Sequence, residues 1–419
     1  MHQHRAHTTV ADHQGAVEAL LRSAWPVGTF DDGGSLPLAQ ALGRVLAADV
    51  HAATALPPFD NSQMDGFAVH SQDLHAAARL AVAPAIPAGS VPAPLARGHA
   101  APIMTGAMLP DGADAVVPVE EAGPPSFAQA DADGAVQLPA TAAGSFVRAA
   151  GSDVPGGSLA LAAGSRLTGG RLGLAAALGL AELPVRRRPR VLLLTTGDEV
   201  VAPGEPLPAG KIFDANSILL RTALESAGAE VIAPQASSDQ PEHFLALLDG
   251  LLAKEQAGGG IDLIVSTGGI SAGAFEVVKQ ALASQGVVFG HVGMQPGGPQ
   301  GLGSYRGVPY LGFPGNPVSS VVSFEMFLRP ALSAVVGAPA LRPVVLAHLA
   351  VALDSPAGKH QVRRGSYEPP AYESPGTVAE VGGPSSHLVA ALAAANALIQ
   401  IPAGVTHLAA GAKVEVWLL

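Results

Sequence analysis

The stretch IDLIVSTGGISAGAFEVVKQAL, residues 261–282, runs from a short apolar segment through a glycine-rich loop into a helical pattern. It predicts a strand, an anion-binding loop and a helix in that order. Gly268, Gly269 and Gly273 let the backbone turn tightly and approach a ligand. The free N–H groups that open the next helix favour a phosphate or an oxyanion at this loop.

Two other segments show the same order of features. RVLLLTTGDEV, residues 190–200, predicts a buried strand followed by a turn, so that Glu199 lies at the loop and not in the core. VPYLGFPGNPVSSVVSFEMFLRPAL, residues 308–332, predicts a strand that leads into a helix. Asn316 is a natural N-cap for that helix, and Pro317 suits its first position.

Each of the three apolar strands ends in a turn rich in glycine or proline, and helix-like stretches separate them. This order favours a parallel-type sheet in an α/β domain, with ligands bound outside the carboxyl edge of the sheet.

The rest of the chain divides by its hydrophobic spacing. Residues 16–25, 36–50 and 159–182 have helical spacing, which indicates an α-rich scaffold. Short strands separated by Pro and Gly follow the second of these segments, and the end of the chain alternates as strands do. The predicted fold class is α/β multidomain. The predicted domains are the scaffold (14–56 and 149–185), a β-rich insertion (57–148), the α/β domain (186–335) and a small C-terminal all-β, barrel-like domain (336–419).

Composition and charge exclude several classes of function. The net charge of −11 argues against a nucleic-acid surface, which needs clustered Lys and Arg. The dense basic run from Arg186 to Arg190 is interpreted as a solvated linker, with a phosphate-steering patch as the alternative. Without cysteine, the chain has no disulfide, no thiolate metal site and no thiol nucleophile. A nucleotide kinase is not expected, because no P-loop motif occurs.

The start of the chain shows no export signal. It lacks a basic start joined to an apolar stretch, and no run approaches the ~20 apolar residues of a membrane-spanning helix. We therefore expect a soluble, cytoplasmic protein. The early histidines are assigned no role, because such an end is usually disordered. They are His2, His4, His7 and His13.

Seven motifs in a fixed order resemble those of the molybdopterin molybdenumtransferase family. They are PPFDNSQMDGFAV (57–69), IMTGAMLPDGADAVV (103–117), GSDV (151–154), TTGDEV (195–200), GKIFDANS (210–217), STGGISAG (266–273) and LGFPGNPVSS (311–320). The resemblance implies a three-layer α/β/α molybdopterin-binding domain. It also implies an enzyme that inserts molybdate into adenylylated molybdopterin, releasing AMP and molybdenum cofactor.

The resemblance further implies an elongated homodimer. The active site is expected between the α/β domain of one subunit and the β-rich insertion of the other, so that Asp65 and Thr105 reach the ligand. A molybdopterin adenylyltransferase is a possible partner. The expected metal is Mg²⁺, which prefers hard oxygen ligands and needs neither Cys nor His.

Carried over residue by residue, the motifs assign functional roles to matching positions. The candidate catalytic residues are Asp65, Glu199, Asp239 and Glu276, of which Glu199, Asp239 and Glu276 are also the candidate Mg²⁺ ligands. The candidate substrate-binding residues are Thr105, Asp153, Asn216, Thr267, Gly268, Gly269, Ser271, Gly273, Lys279, His291, Gln295, Pro314, Gly315, Asn316, Pro317 and Ser386. Glu276 departs from the family, which usually has Asp there, so the metal geometry is expected to shift.

Several of these residues also have local explanations. Glu199 fits a helix-start carboxylate that is favoured by the helix dipole. Asp153 and Asp239 lie in turns, where a bond from the side chain to the backbone accounts for an Asp. Asn216 is equally explained as a turn former, and Asp65 precedes Gly66 in a common turn dipeptide.

The clearest departure from the family is HVGMQPGGP, residues 291–299. Three lysines of the family pattern are replaced here by His291, Gln295 and Gly298. Neither neutral His nor Gln supplies a point charge near pH 7, so we expect weaker oxyanion binding. Lys279 and the loop amides remain.

We predict an active molybdenumtransferase with weakened or altered oxyanion binding. The alternative is a non-catalytic or attenuated scaffold paralogue that binds molybdopterin but has lost the oxyanion lysines. A third interpretation is an insertase that prefers tungstate or acts only within a partner complex.

Overall fold

The structure is a computed structural model that describes residues 8–75, 78–197, 199–234, 240–270, 276–372 and 374–419. The predicted site residues Asp239, Ser271 and Gly273 lie outside these ranges, as do His2, His4 and His7.

The helices and strands of the described residues are given in chain order. The α-helices are α1 (Val10–Ala24), α2 (Phe127–Asp133), α3 (Gly169–Ala177), α4 (Asn216–Ser226), α5 (Pro241–Glu255), α6 (Val277–Leu282), α7 (Pro317–Ser323), α8 (Arg329–Val336) and α9 (Val389–Ala394). The strands are β1 (Ser35–Pro37), β2 (Val50–His51), β3 (Asn61–Ser62), β4 (Gly66–Val69), β5 (Ala78–Val82), β6 (His99–Ile103), β7 (Ala115–Pro118), β8 (Ala135–Leu138), β9 (Val147–Arg148), β10 (Leu159–Leu161), β11 (Glu182–Pro184), β12 (Arg190–Thr195), β13 (Val200–Val201), β14 (Ile212–Phe213), β15 (Glu230–Ile232), β16 (Leu263–Thr267), β17 (Val287–His291), β18 (Met294–Gln295), β19 (Pro299–Tyr305), β20 (Val308–Phe313), β21 (Val344–Leu349), β22 (Leu353–Asp354), β23 (His360–Glu368), β24 (Thr377–Glu380), β25 (Ala397–Ile401), β26 (His407–Leu408) and β27 (Lys413–Leu418).

The central sheet has the strand order β15-β12-β16-β20-β19-β17. The first four strands are parallel, which confirms the predicted strands at the three glycine- and proline-rich loops. Strand β19 runs antiparallel between β20 and β17, a reversal that was not predicted. Thr195, Thr267 and Phe313 lie side by side in the register, so β12, β16 and β20 end at the same edge.

Both faces of this sheet are covered by helices. Val191 and Leu193 of β12 pack into a core cluster with residues of α4, α7 and α8. Leu192 and Leu194 point to the other face and pack with residues of α5 and α6. A parallel strand buried on both faces has a continuous apolar sequence, which explains why the run at 191–194 shows no alternation.

Helix α1 begins with a capping box, in which Thr9 and Asp12 satisfy each other's backbone N–H groups. It confirms the helical spacing of residues 16–25. Val17 and Leu21 belong to the same core cluster as Leu332 of α8, so this helix packs on the central domain. The limits between the domains stay predictions.

The scaffold contains less helix than its spacing indicated. Residues 36–50, predicted as an amphipathic helix, form the end of β1, a short 3₁₀ turn, loop and the start of β2. Residues 159–182 are helical only in α3 and otherwise include β10 and the start of β11. Strand β1 pairs with β11 and β2 pairs with β10, so long-range pairing overrides the local pattern. Gly43, with a φ of 77°, also interrupts a helix there.

The segment between β2 and β10 contains the predicted β-rich structure. Its five-stranded sheet has the order β7-β4-β6-β5-β8, and β3 pairs with β9 beside it. Phe67, Val117 and Val136 are buried in one of its core clusters. Gly66 lies so close to β7 that a Cβ would sit 2.2 Å from the carbonyl oxygen of Val117. No larger residue fits there.

The C-terminal strands close into a barrel. Strand β23 pairs with β24 and β25, and β21 and β27 complete the ring between them. Strand β18 adds to β23 in parallel, although β18 lies far earlier in the chain than the barrel. This pairing connects the barrel to the segment between β17 and β19 of the central sheet.

Residues 317–336 form one helical stretch, in which a π-helical segment at Phe324–Leu328 joins α7 to α8. Within the described residues it is long and apolar enough, by length and composition, to cross a membrane, which the sequence did not lead us to expect. Of its most apolar window, 72% is buried inside the protein. Glu325, buried at its centre, binds Arg329 at 2.7 Å and Arg342 at 2.9 Å. It packs as a core helix.

His13, which we had grouped with a disordered end, is buried in α1. Its ring lies edge-on to Phe327, 4.6 Å between centroids, and burial lowers its pKa to about 4.

The unfolded chain therefore binds a proton at His13 as the pH falls through 6.5, whereas the folded chain stays unprotonated there until a lower pH. Acidification from pH 7 to 4 should therefore lower the free energy of unfolding of the wild type by up to about 3 kcal/mol more than that of His13→Leu. Urea unfolding across this range measures the difference, and parallel pH profiles would contradict it.

Candidate functional site

A cleft of about 1070 Å³ opens at the carboxyl ends of β12, β16 and β20. The turns after these strands form one wall, and the segment from β17 to the start of β19 forms another. Residues 384–387 and Lys359 of the C-terminal domain also line it. The cleft therefore lies at the sheet edge where the sequence predicted a ligand.

Most of the predicted site residues meet in this cleft. Those that line it are Glu199, Asn216, Gly268, Gly269, Glu276, His291, Gln295, Pro314, Gly315, Asn316, Pro317 and Ser386. Others do not. Thr267 is buried beneath the cleft, and Lys279 is exposed on α6 outside its lining. Asp65, Thr105 and Asp153 are exposed and lie outside the lining of the chain's own cleft.

The floor of the cleft is a buried network of hydroxyl and amide groups. Thr267 donates from Oγ1 to the carbonyl of Pro314 at 2.9 Å, and Ser320 donates to the same oxygen at 2.6 Å. Asn216 donates from Nδ2 to Thr267 at 3.2 Å and to the carbonyl of Gly315 at 2.6 Å. These bonds tie the turn after β20 to the end of β16. The interpretation of Asn216 as a simple turn former is therefore incomplete.

Glycine is required where the loop backbones meet. Gly268 has φ of 89°, and a Cβ there would lie 2.4 Å from the carbonyl oxygen of Thr196. Gly269 has φ of 63°, and its Cβ would lie 2.8 Å from Val278. A Cβ on Gly315 would lie 3.3 Å from the Cα of Gly268. The three turns thus pack backbone against backbone, which exposes main-chain groups to a ligand.

Two of the predicted carboxylates face the cleft. Glu199 folds back on Gly197, where an added Cβ would lie 2.8 Å from its Oε2. The residue precedes β13 and not a helix, so the helix-start explanation of Glu199 is wrong. Glu276 does occupy the N-cap position of a helix, α6, and makes no side-chain cap bond there. Asp214 also lines the cleft, but it accepts from the backbone of Ser217 at 2.9 Å and so serves the start of α4.

Positive charge reaches the cleft from a position that the sequence did not indicate. Lys359 is the one Lys or Arg among the described residues that line it. It follows Gly358, which has φ of 75°, in the turn before β23. No motif marks this lysine, because it lies in the barrel and meets the cleft only through tertiary packing.

The three positions where the family resemblance implies lysine have distinct surroundings. His291 lies over Gly298, where an added Cβ would be 2.4 Å from the imidazole Cε1. A side chain at position 298 and this orientation of His291 therefore exclude each other. Gln295 accepts a hydrogen bond from Gln361 at 3.0 Å.

Asp65 and Thr105 form a pair on the β-rich insertion. Thr105 donates to Oδ1 of Asp65 from its backbone N–H at 2.7 Å and from its hydroxyl at 2.8 Å. These two bonds, the backbone bond first, lower the pKa of Asp65. Asp153 lies apart from them in an exposed turn, where its backbone N–H donates to the carbonyl of Leu56 at 3.0 Å.

A glycine-loop α/β/α domain with a cleft at the carboxyl edge of its sheet, a β-rich insertion and a C-terminal barrel define the class of this multidomain protein. Three family models match the chain: "MoeA N-terminal region (domain I and II)" over residues 9–179, "Probable molybdopterin binding domain" over 192–334 and "MoeA C-terminal region (domain IV)" over 347–419. The chain belongs to the molybdopterin molybdenumtransferase, or MoeA, family.

Relatives cover nearly the whole chain. "Molybdopterin molybdenumtransferase 2" of Mycobacterium tuberculosis is 43% identical over 98% of this chain and 99% of its own length. The Haemophilus influenzae "Molybdopterin molybdenumtransferase" is 33% identical over 91% and 92%. The crystal structure of the "molybdopterin biosynthesis moeA protein" from Pyrococcus horikoshii OT3 superposes with a TM-score of 0.80 at 26% identity, over 98% of this chain and 100% of that one. The resemblance seen in the motifs is confirmed.

Gly268→Ala tests the backbone contact at the floor of the cleft. Its methyl group would meet the Thr196 carbonyl at a positive φ, so we expect a loss of roughly 1–3 kcal/mol in unfolding free energy. Gly173→Ala is the matched control, because nothing lies within 4 Å of a Cβ on Gly173 in the helix α3. That substitution should stabilise by up to ~1 kcal/mol. Equal effects in urea unfolding would contradict the contact.

Proposed function

We propose that the protein is a molybdopterin molybdenumtransferase that takes adenylylated molybdopterin and molybdate and releases molybdenum cofactor and AMP. The observation that carries the proposal is the cleft, which combines glycine-loop backbone, the carboxylates of Glu199 and Glu276, and Lys359, in a chain that matches the family along nearly its whole length. The alternative of a scaffold that has lost catalysis gains no support from the domain models or from the names of the relatives.

Cleavage of the adenylyl link requires stabilisation of negative charge on phosphate oxygens. The turns after β12, β16 and β20 bring their main-chain groups to the cleft, and Lys359 adds a fixed positive charge. His291 also lines the cleft, and its imidazole adds hydrogen-bonding capacity. The dipoles of the main-chain groups therefore supply much of the proposed anion binding, and the carboxylates lie in the same cleft.

We propose Mg²⁺ as the metal of this site. Among the described residues, no cluster of three or more His, Asp or Glu is close enough to hold a metal ion. Magnesium is nevertheless often held by only one or two carboxylates together with water and substrate phosphate. Glu199 and Glu276 fit that role, since both line the cleft. When bound, the ion would neutralise charge on the phosphate oxygens.

We propose a cytoplasmic homodimer in which Asp65 and Thr105 of one subunit face the cleft of its partner. Supporting this, the pair is exposed, carries an ionised acceptor of lowered pKa and does not line its own cleft. A molybdopterin adenylyltransferase is the proposed supplier of the adenylylated substrate.

Glu199→Gln tests the role of the cleft carboxylate. Removing its charge should lower the rate of AMP release from adenylylated molybdopterin, with molybdate and Mg²⁺, by roughly 100-fold or more. Glu205→Gln is the matched control, because Glu205 is exposed in the following loop and lies outside the cleft lining. Chromatographic measurement of AMP checks both. A wild type that releases no AMP above the Glu199→Gln level would overturn the proposed function.

Lys359→Met tests the one fixed positive charge among the described lining residues. Losing a charge-assisted contact to an anion should raise the KM for molybdate or for adenylylated molybdopterin about tenfold. Lys413→Met removes a lysine from the barrel strand β27, outside the cleft, and should leave both KM values unchanged. Similar KM values in the two variants would show that Lys359 does not contact the substrates.

A further inference from the structure

A chain of hydrogen bonds leads from the C-terminal barrel into the cleft. Arg363 on β23 donates from Nε to Oε1 of Gln361 at 2.7 Å. Gln361 in turn donates from Nε2 to Oε1 of Gln295 on β18 at 3.0 Å. Arg363 and Gln361 are buried, whereas Gln295 lines the cleft. Strands β18 and β23 place Gln295 directly opposite Gln361 in their register.

Arg363 fixes the direction of the whole chain. A guanidinium group only donates, so the atom of Gln361 that faces it must be the carbonyl oxygen. The NH₂ group of Gln361 then faces Gln295, which must present its own oxygen. Amide oxygen and nitrogen are normally assigned from their hydrogen-bond network, and this network permits one assignment only.

The anchor of the chain is itself held on its other side. Arg363 donates from Nη1 to Oε1 of Glu380 at 2.7 Å and from Nη2 to the carbonyl of Asp354 at 3.0 Å. The guanidinium cannot rotate without breaking these bonds. A charged donor also polarises the amides that follow it and strengthens the bond between them.

The NH₂ group of Gln295 is therefore the free end of the chain. Its oxygen is committed to Gln361, and no described residue accepts a hydrogen bond from its nitrogen. It lines a cleft that also holds Glu199 and Glu276, so an added ammonium group at this position would have carboxylates to attract it. The neutral amide of Gln295 is attracted to these carboxylates less strongly than an ammonium group would be.

We propose that Gln295 donates a hydrogen bond from Nε2 to a tetrahedral oxyanion in the cleft, and that Gln361 is the positioning residue that keeps Gln295 in this orientation. The oxyanion is molybdate or a phosphate of adenylylated molybdopterin, an assignment that rests on the proposed function. An oriented amide dipole thus occupies the position where the family pattern has a lysine.

Gln361→Glu should turn the side-chain amide of Gln295 around without changing any residue that lines the cleft. A carboxylate at position 361 still accepts from Arg363, but it can only accept, so Gln295 turns its NH₂ group inward and its oxygen toward the anion. We expect the KM for one of the two substrates to rise about tenfold or more, with kcat at saturation little changed. Unchanged KM values for both substrates would overturn the proposal.

Gln295→Met separates orientation from general structural damage. It removes the donor and should raise the same KM. Adding Gln361→Glu to Gln295→Met should then cause no further rise, because no amide is left to turn. If Gln361→Glu has its full effect in both backgrounds, it acts through the fold and the proposal fails.

Binding measured without turnover keeps this proposal distinct from the proposed function. Equilibrium dialysis with radiolabelled molybdate and titration with adenylylated molybdopterin, followed by pterin fluorescence, give the two affinities. Weaker binding of one ligand to Gln361→Glu and Gln295→Met supports the proposal and identifies which oxyanion is held. Unchanged affinity for both ligands overturns it. A wild type that binds but releases no AMP would instead overturn the proposed function alone.

Discussion

Direct contact between loop backbones at the carboxyl edge of the central sheet holds the functional region together. Gly268 lies against the carbonyl of Thr196 with no room for a Cβ, and Gly315 lies close to the backbone of Gly268. Thr267 and Ser320 bind the Pro314 carbonyl from below. Because adjacent parallel strands end in register, these three turns meet at one place. The cleft is a consequence of that meeting.

The C-terminal barrel completes the cleft and does not merely follow the central domain. Strand β18 joins the barrel through β23, and the backbone N–H of Val318 in α7 donates to the carbonyl of Ser386 at 3.1 Å. Buried Arg364 donates to the carbonyl of Gly383, just before the residues that line the cleft. Lys359, Ser386 and Gln295 therefore depend on one interface for their positions. A shift of the barrel would move all three.

Carboxylates outnumber fixed positive charges among the described residues that line the cleft. Glu199, Asp214 and Glu276 line it, against the single fixed positive charge of Lys359 among the described residues. Backbone and side-chain amides do not change their protonation state near pH 7. Fixed dipoles inside a partly enclosed site also interact with anions more strongly than they would in water. Replacing His291 and Gln295 by lysine would change this balance as well as the contacts themselves.

The sequence by itself determined the three strand-to-loop units, the glycines that only a tight turn explains and the family to which their order belongs. These features are local, so short stretches such as residues 190–200 and 308–317 carry them completely. The helical spacing at 36–50 gave a wrong prediction, because strand pairing with the distant residues 159–184 of the same chain outweighs the local pattern. Only the tertiary structure shows that Lys359 lines the cleft and that Lys279 lies outside it. It also links Gln295 to Arg363 through Gln361. Contacts between residues so distant in sequence depend on how the domains pack, and no local pattern records that packing.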